Sequence, residues 1–164
     1  MCGFAGFLTQ SYNLSSPQGV LNSMGNSIRS RGPDSKGIFF DSDQGIGLSF
    51  RRLAILDLSD AGSQPMCSVS GRYVICFNGE IYNHNDIRKE IERKSLSKII
   101  WNGHSDTETL LASIELFGLE ETLKKCTGMF AIALWDKKEK LLSLTRDRFG
   151  EKPLFYFHQS SQDN

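Results

Sequence analysis

The sequence has no run of about 18 apolar residues that would cross a bilayer and no leader of secretory type. Neither a membrane span nor export is expected, and the setting read from the chain is cytoplasmic. It has no net charge, because 19 Lys and Arg balance 19 Asp and Glu. That removes the electrostatic footprint that nucleic acid or an anionic membrane would select, so neither is an expected partner. Cysteine is sparse. Cys2, Cys67, Cys76 and Cys126 form no C-x-x-C pair, and no His stands at ligand spacing. No metal site is expected, and no disulfide framework either in an intracellular chain of this size. There is no internal repeat, no linker and no glycine loop of the kind that cradles phosphate.

What is present fits one globular domain with a real core: 164 residues, 39% of them hydrophobic. The 15 glycines exceed the usual ~7% of residues and suit a β-rich chain with tight turns. Cys76 in an apolar strand and Cys126 after a helix read as core thiols, which leaves Cys2 as the unusual one.

The first six residues, Met1-Cys2-Gly3-Phe4-Ala5-Gly6, organise the reading. Methionine before a small second residue is the usual substrate of methionine removal. Cleavage would give Cys2 a free α-amine beside its thiol. Those two groups ordinarily titrate within about a unit of each other, so one residue would hold both nucleophile and base. Gly3 and Gly6 allow close backbone approach. Alone this signal is weak, since many chains begin Met-Cys by accident, and a lipid-anchor cysteine would need an apolar leader upstream.

Residues 3–8 read as a strand. Ser16 is an N-cap and Pro17 a first helical residue for an amphipathic helix over about 18–30, carried by Val20, Leu21, Met24 and Ile28. Arg31-Gly32-Pro33-Asp34 stops it. Strands at 37–41 and 46–50 flank a hairpin loop at 42–45. After a Gly/Ser/Pro-rich loop at 59–65, residues 73–77 form a strand with both faces covered, running straight into Asn78-Gly79-Glu80. A helix over about 84–94 has Asn83 as its candidate cap. Ser105-Asp106-Thr107-Glu108 has the capping-box pattern before another helix. A short helix at 119–125, strands at 129–135 and 141–145, a loop at 146–150 and a last strand at 153–157 complete the chain, with a frayed tail at 159–164. This order of elements predicts stacked sheets with helices outside, not a wound βαβ sheet.

Amide hydrolysis by a thiol needs donors for the oxyanion of its tetrahedral intermediate. The Asn78 side chain and the Gly79 N–H are the best candidate pair. Asn-Gly is also the strongest short-range signal for a type I′ hairpin, and on spacing alone that is its commoner use. A helical stretch follows instead of a partner strand, which counts against the hairpin. Arg52 is either a guanidinium fixed beside the sheet for a carboxylate or a solvated edge charge, as Arg51 is expected to be. Asp106, in the first turn of a helix, either answers the macrodipole or faces a ligand ammonium, and Glu80 has the same two readings.

Together these stretches resemble the glutaminase domain of class II glutamine amidotransferases, in particular that of glutamine-hydrolysing asparagine synthetases. The resemblance is carried by Met1–Gly3, Arg31–Asp34, Arg52–Leu58, Gln64-Pro65-Met66, Asn78–Asn83, Ser105–Glu108, Gly128–Ala131 and Arg146–Leu154. It implies an α+β fold of N-terminal-nucleophile type, a four-layer αββα sandwich of two antiparallel sheets lacking its last strand or strands, over residues 1–158. It also implies roles. Cys2 would attack the glutamine side-chain amide and form a thioester, its amine relaying the proton to ammonia. Asn78 and Gly79 would form the oxyanion hole. Arg52 would hold the α-carboxylate, and Asp106, with Glu80 nearby, the α-ammonium. Backbone groups of Leu53, Ile55 and Leu56 would line the pocket, and Arg31, Gly32, Pro33 and Asp34 would close over it.

The implied substrate is L-glutamine, with no cofactor for its hydrolysis. The implied partner is a synthetase domain or subunit that accepts ammonia and holds ATP and Mg; that domain is absent from this chain, which would not make asparagine alone. A homodimer is also among the expected assemblies. One departure is local: Ser30 stands where the family usually has His, and Ser does not titrate near neutrality. The rival reading is a truncated, non-catalytic glutamine-binding or scaffold domain of the same fold.

Overall fold

The computed structural model describes residues 2–9, 16–54, 60–96 and 98–159. Strand β1 (Gly3–Leu8) leads to helix α1 (Pro17–Ser27) and the hairpin β2 (Ser35–Asp41) and β3 (Ile46–Arg52). A two-residue strand β4 (Met66–Cys67) precedes the long β5 (Tyr73–Ile81). Helices α2 (His84–Lys94), α3 (Asp106–Phe117) and α4 (Leu119–Lys125) follow, then β6 (Gly128–Asp136) and β7 (Leu141–Arg146). All strand pairs are antiparallel, in two sheets of order β1-β3-β2 and β4-β5-β6-β7.

The alternation of side chains along each strand sets the layers. Ile46, Leu48 and Phe50 of β3 face Val74 and Cys76 of β5 and Ala133 and Trp135 of β6, forming the core between the sheets. The opposite face of the second sheet presents Ile75, Phe77, Ile81, Phe130, Ile132 and Leu134 to Ile87 and Ile91 of α2 and Leu110, Leu111 and Ile114 of α3. On the outer face of the first sheet, Gly47 lies against Leu21 of α1. The result is the four-layer αββα sandwich that the resemblance implies. Cys76 and Cys126 are buried as expected. Burial pushes the Cys76 thiol far up, and the Cys126 thiol up to about 11, against a pull downward from Arg148.

Several local expectations are corrected. α1 ends at Ser27, and residues 29–31 continue as a tighter 3₁₀ turn, so the expected helix over about 18–30 is α-helical only in part. Side chains satisfy carbonyls in its last turn. The Ser27 hydroxyl donates to the Met24 carbonyl at 2.7 Å, and Arg51 Nε donates to that of Gly25 at 2.9 Å. Arg51 is therefore no solvated edge charge: it points outward from β3, but α1 covers that face and leaves it 8% exposed. Asn83 occupies the N-cap of α2 as expected, with its carbonyl accepting the Asp86 and Ile87 N–H groups, but its side chain makes no capping bond. Its amide instead bridges the end of α4 to β6, donating to the Lys125 carbonyl and accepting the Thr127 N–H, both at 2.9 Å. Ser105 caps α3 by accepting the Glu108 N–H at 3.2 Å. Glu108 does not complete a reciprocal box, because its carboxylate is taken by Arg88 and by the N–H groups of Asn102 and Gly103.

β5 extends past Phe77 to Ile81, so Asn78-Gly79 lies inside a strand and makes no hairpin turn. Residues 153–157 form no strand. Pro153 lacks a donor, and Phe155, Tyr156 and Phe157 are all exposed, so neither face of the segment gains the burial that fixes a strand. Residues 160–164, within the expected frayed tail, lie outside the described residues.

Candidate active site

The inward faces of three strands change character at the same end of the sandwich. On β3 the apolar series 46, 48, 50 is followed by Arg52; on β5 the series 74, 76 is followed by Asn78 and Glu80; Phe4 of β1 is preceded by Cys2. Cys2, Arg52, Asn78 and Glu80 meet at a cavity of about 130 Å³ whose wall also holds Asp106 and Thr107 from the start of α3. Residues far apart in sequence thus converge because strand periodicity aims them alike and the register brings their ends together.

Cys2 is held by the chain just past β3. Its thiol donates to the Leu53 carbonyl at 3.5 Å, and the Leu53 N–H points back at the sulfur at 3.3 Å. Arg52 and Asn78 are 8% and 6% exposed, deep enough for their polar groups to act outside bulk water.

Along β5 the N–H and C=O of successive residues point to opposite edges. The even-numbered ones face β6 and its flanks, as the bonds from Tyr82 N to Thr127 O and from Lys137 N to Arg72 O on the same register show. The odd-numbered ones face the other edge. There Tyr73 O accepts from Ser68 N at 2.9 Å, and Ile75 lies opposite Met66 of β4. Phe77 is bonded to the side chain of Gln64, and Ile81 N donates to Asp106 Oδ2 at 3.0 Å. Gly79 falls between these two, so its N–H is directed into the cavity rather than into the ladder. No side chain fits at Gly79: a Cβ there would stand 2.7 Å from the Phe130 Cα, and closer still to the Met129 carbonyl.

Asp106 is buried, and burial pushes its carboxyl above the ordinary carboxylate range, although the Ile81 N–H and nearby His84 pull the other way. A buried carboxylate in the first turn of a helix, on a cavity wall, is a natural acceptor for an ammonium. Glu80 lines the same cavity. Arg52 and the two carboxylates therefore give the cavity groups of both signs, as a zwitterionic amino acid requires.

Not every expected residue lies on this wall. Arg31–Asp34 does not line the cavity; it packs behind it, where Asp34 N donates to the Arg52 carbonyl at 3.1 Å and the Asp34 carboxylate accepts from Ala54 N at 2.9 Å. Ile55 and Leu56 lie outside the described residues. Leu53 is on the wall. The cavity also includes Gln64, Thr107, Met129 and Lys152, to which the residue reading gave no role. Gln64, Met129 and Lys152 nevertheless fall in Gln64-Pro65-Met66, Gly128–Ala131 and Arg146–Leu154, and Thr107 in Ser105–Glu108, so the signal was a motif without an assigned purpose. Among the described residues no cluster of His, Cys, Asp and Glu is arranged to hold a metal ion, and no helix is long and apolar enough to cross a membrane.

Comparison with known proteins finds relatives over nearly the whole chain. The chain is 41% identical over 158 residues to glutamine-hydrolyzing asparagine synthetase 1 of Bacillus subtilis, covering 95% of this chain and 24% of that protein. It is 39% identical over 162 residues to glutamine-hydrolyzing asparagine synthetase 2 of the same organism, covering 95% and 20% respectively. It is also 32% identical over 170 residues to the amidase chry2 of Gibberella zeae, covering 98% and 25%. The chain spans about a fifth to a quarter of the length of these curated relatives. The glutamine amidotransferase domain family matches residues 1–164, and the chain belongs to that family.

Proposed function

We propose that residues 1–158 form a glutaminase domain that hydrolyses L-glutamine to L-glutamate and ammonia through an N-terminal cysteine thioester. Removal of Met1 exposes the Cys2 amine. Cys2 Sγ attacks the side-chain amide carbon of glutamine as its proton passes to that amine. The carbonyl oxygen becomes an oxyanion, held by the Asn78 side-chain amide and the Gly79 N–H. Collapse breaks the C–N bond, and the amine returns the proton to the leaving ammonia. Water, deprotonated by the same amine, then attacks the thioester; sulfur leaves as the thiol and glutamate is released. Arg52 pairs with the α-carboxylate, while Asp106 and Glu80 receive the α-ammonium.

The observation that carries this reading is the convergence of Cys2, Arg52, Asn78, Gly79, Glu80 and Asp106 on one cavity. No cofactor enters the step. The relatives' names support a wider reading, in which the ammonia feeds an ATP-dependent amidation of asparagine synthetase type. ATP and Mg would then belong to a synthetase domain or subunit. A cytoplasmic setting is part of the proposal, because free thiols such as those of Cys67, Cys76 and Cys126 suit a reducing compartment. Closure of the Arg31–Asp34 segment over bound glutamine is part of the same proposal, and its bonds to Arg52 and Ala54 link it to the strand end that carries the carboxylate partner.

The test is glutamate formation by the Met-cleaved protein against Cys2→Ala. Turnover in the first and none in the second is expected. Equal rates would end the proposal, and glutamine binding without turnover in both would favour a binding domain instead.

A further inference from the structure

The edge of β5 that carries Gly79 is completed in an unusual way. β4 pairs with it only at Met66 and Cys67. Continued by the same register, the next outward-facing position, Phe77, would lie opposite Gln64. The main chain is not paired there, because β4 consists of Met66 and Cys67 alone. The Gln64 side chain takes over. Its Oε1 accepts the Phe77 N–H at 2.6 Å, and its Nε2 donates to the Phe77 carbonyl at 3.2 Å. A primary amide thus reproduces both halves of a backbone pair.

The second proton of the same amide has its own partner. Nε2 also lies 3.2 Å from Thr107 Oγ1, one residue after Asp106. Gln64 is 9% exposed, and its backbone is wedged against the first sheet, where a Cβ on Gly37 would stand 2.9 Å from the Gln64 carbonyl carbon. One side chain therefore ties the strand edge beside Asn78 and Gly79 to the helix turn that carries Asp106. It does so without extending β4, which would have covered the Gly79 N–H with a neighbouring strand.

We infer that Gln64 is a positioning residue of the reaction: its side-chain amide stands in for a strand at Phe77, fixing the oxyanion donors against the ammonium site while keeping the Gly79 N–H open to substrate. This rests on the glutaminase reading for its catalytic half, and on the hydrogen-bond geometry alone for its structural half.

Gln64→Met keeps the length of the side chain and removes all three bonds. The expected result is a fall in kcat of about tenfold to a hundredfold with KM within about twofold, since displaced oxyanion donors act only in the transition state. Gln64→Glu adds a readout that loss of packing would not give. As a carboxylate it can accept from Phe77 N–H but cannot donate to Phe77 O; once protonated it regains one donor. Its kcat relative to wild type should therefore rise as pH falls. Unchanged kcat in folded Gln64→Met, or a rise in KM with kcat retained, overturns the inference. If Gln64→Met does not fold, Thr107→Val is read in the same way, with an expected loss of about threefold in kcat from one hydrogen bond; an unchanged kcat there counts against the inference.

Amide hydrogen exchange separates this inference from the glutaminase reading. The Phe77 amide should be protected in wild type and lose that protection in Gln64→Met. If wild type proves no more active than Cys2→Ala, the glutaminase reading fails and exchange alone decides. Lost Phe77 protection then upholds the substitution of an amide for a strand, and retained protection overturns it.

Discussion

Asp106 accepts the backbone N–H of Ile81 at 3.0 Å, two residues along the strand edge that carries Gly79. The proposed ammonium site and oxyanion site are therefore fixed to one strand. Burial holds the Asp106 carboxyl above the ordinary carboxylate range, and only its ionised form can pair with an ammonium. The sign follows: as pH falls through that raised value, Asp106 takes up a proton and glutamine affinity drops. We expect KM to climb on the acid side in wild type. Asp106→Asn should raise KM by more than about tenfold and lose that acid-side rise, with kcat much less affected. Steady-state kinetics across pH checks both.

Asn78 should divide the kinetic constants the other way. Its side chain is buried on the cavity wall beside the Gly79 N–H, and it is expected to touch the carbonyl oxygen mainly once that oxygen carries charge. Asn78→Ala should lower kcat by about 10²–10³ with little change in KM. A raised KM at constant kcat would make it a substrate-positioning group.

The sandwich was legible because periodicity survives in a single sequence. The strands at 3–8 and 129–135 and the helix at 84–94 were read close to their observed bounds. Cys2, Arg52, Asn78 and Glu80 were singled out for their chemistry, and the register accounts for their meeting. What covers an outward face is not written in the strand itself. Arg51 and Arg52 are adjacent and equally charged, yet one enters the cavity wall while the other is roofed by α1, a contact 26 residues away in the chain. Gln64 escaped for a similar reason, since a side chain acting as backbone leaves no trace in hydrophobic pattern. Residues 153–157 failed in the opposite direction, because an aromatic-rich run has strand propensity whether or not a partner edge is there.

Arg51 should matter for stability and not for catalysis. Its guanidinium bonds the Gly25 carbonyl and the Asn26 side chain at the end of α1, on the face of the first sheet away from the cavity. Arg51→Met keeps the apolar stem but leaves those acceptors without their donor. A loss of about 1–3 kcal/mol is expected, read as a lower urea midpoint at unchanged slope. KM for glutamine should stay within about twofold of wild type, since uniform binding groups are untouched. Arg52→Met, one residue on, should give the reverse pattern.

The acid limit of stability should depend on Asp147. Burial alone would raise its carboxyl, but N–H groups of Lys152, Glu151, Phe130 and Phe149 outweigh that and hold it at about 2. The bonds are 2.9 to 3.1 Å long and pin the loop that delivers Lys152 to the cavity wall. A carboxyl lowered on folding contributes stability that is complete above its unfolded value of about 3.9 and fades as pH falls toward its folded one. Asp147→Asn turns an NH₂ toward two of those donors and should cost at least about 2 kcal/mol near neutrality. The gap in melting temperature between wild type and variant should then narrow as pH is lowered from about 4 toward 2. A gap that stayed constant over that interval would mean the Asp147 carboxylate charge contributes nothing to holding the loop.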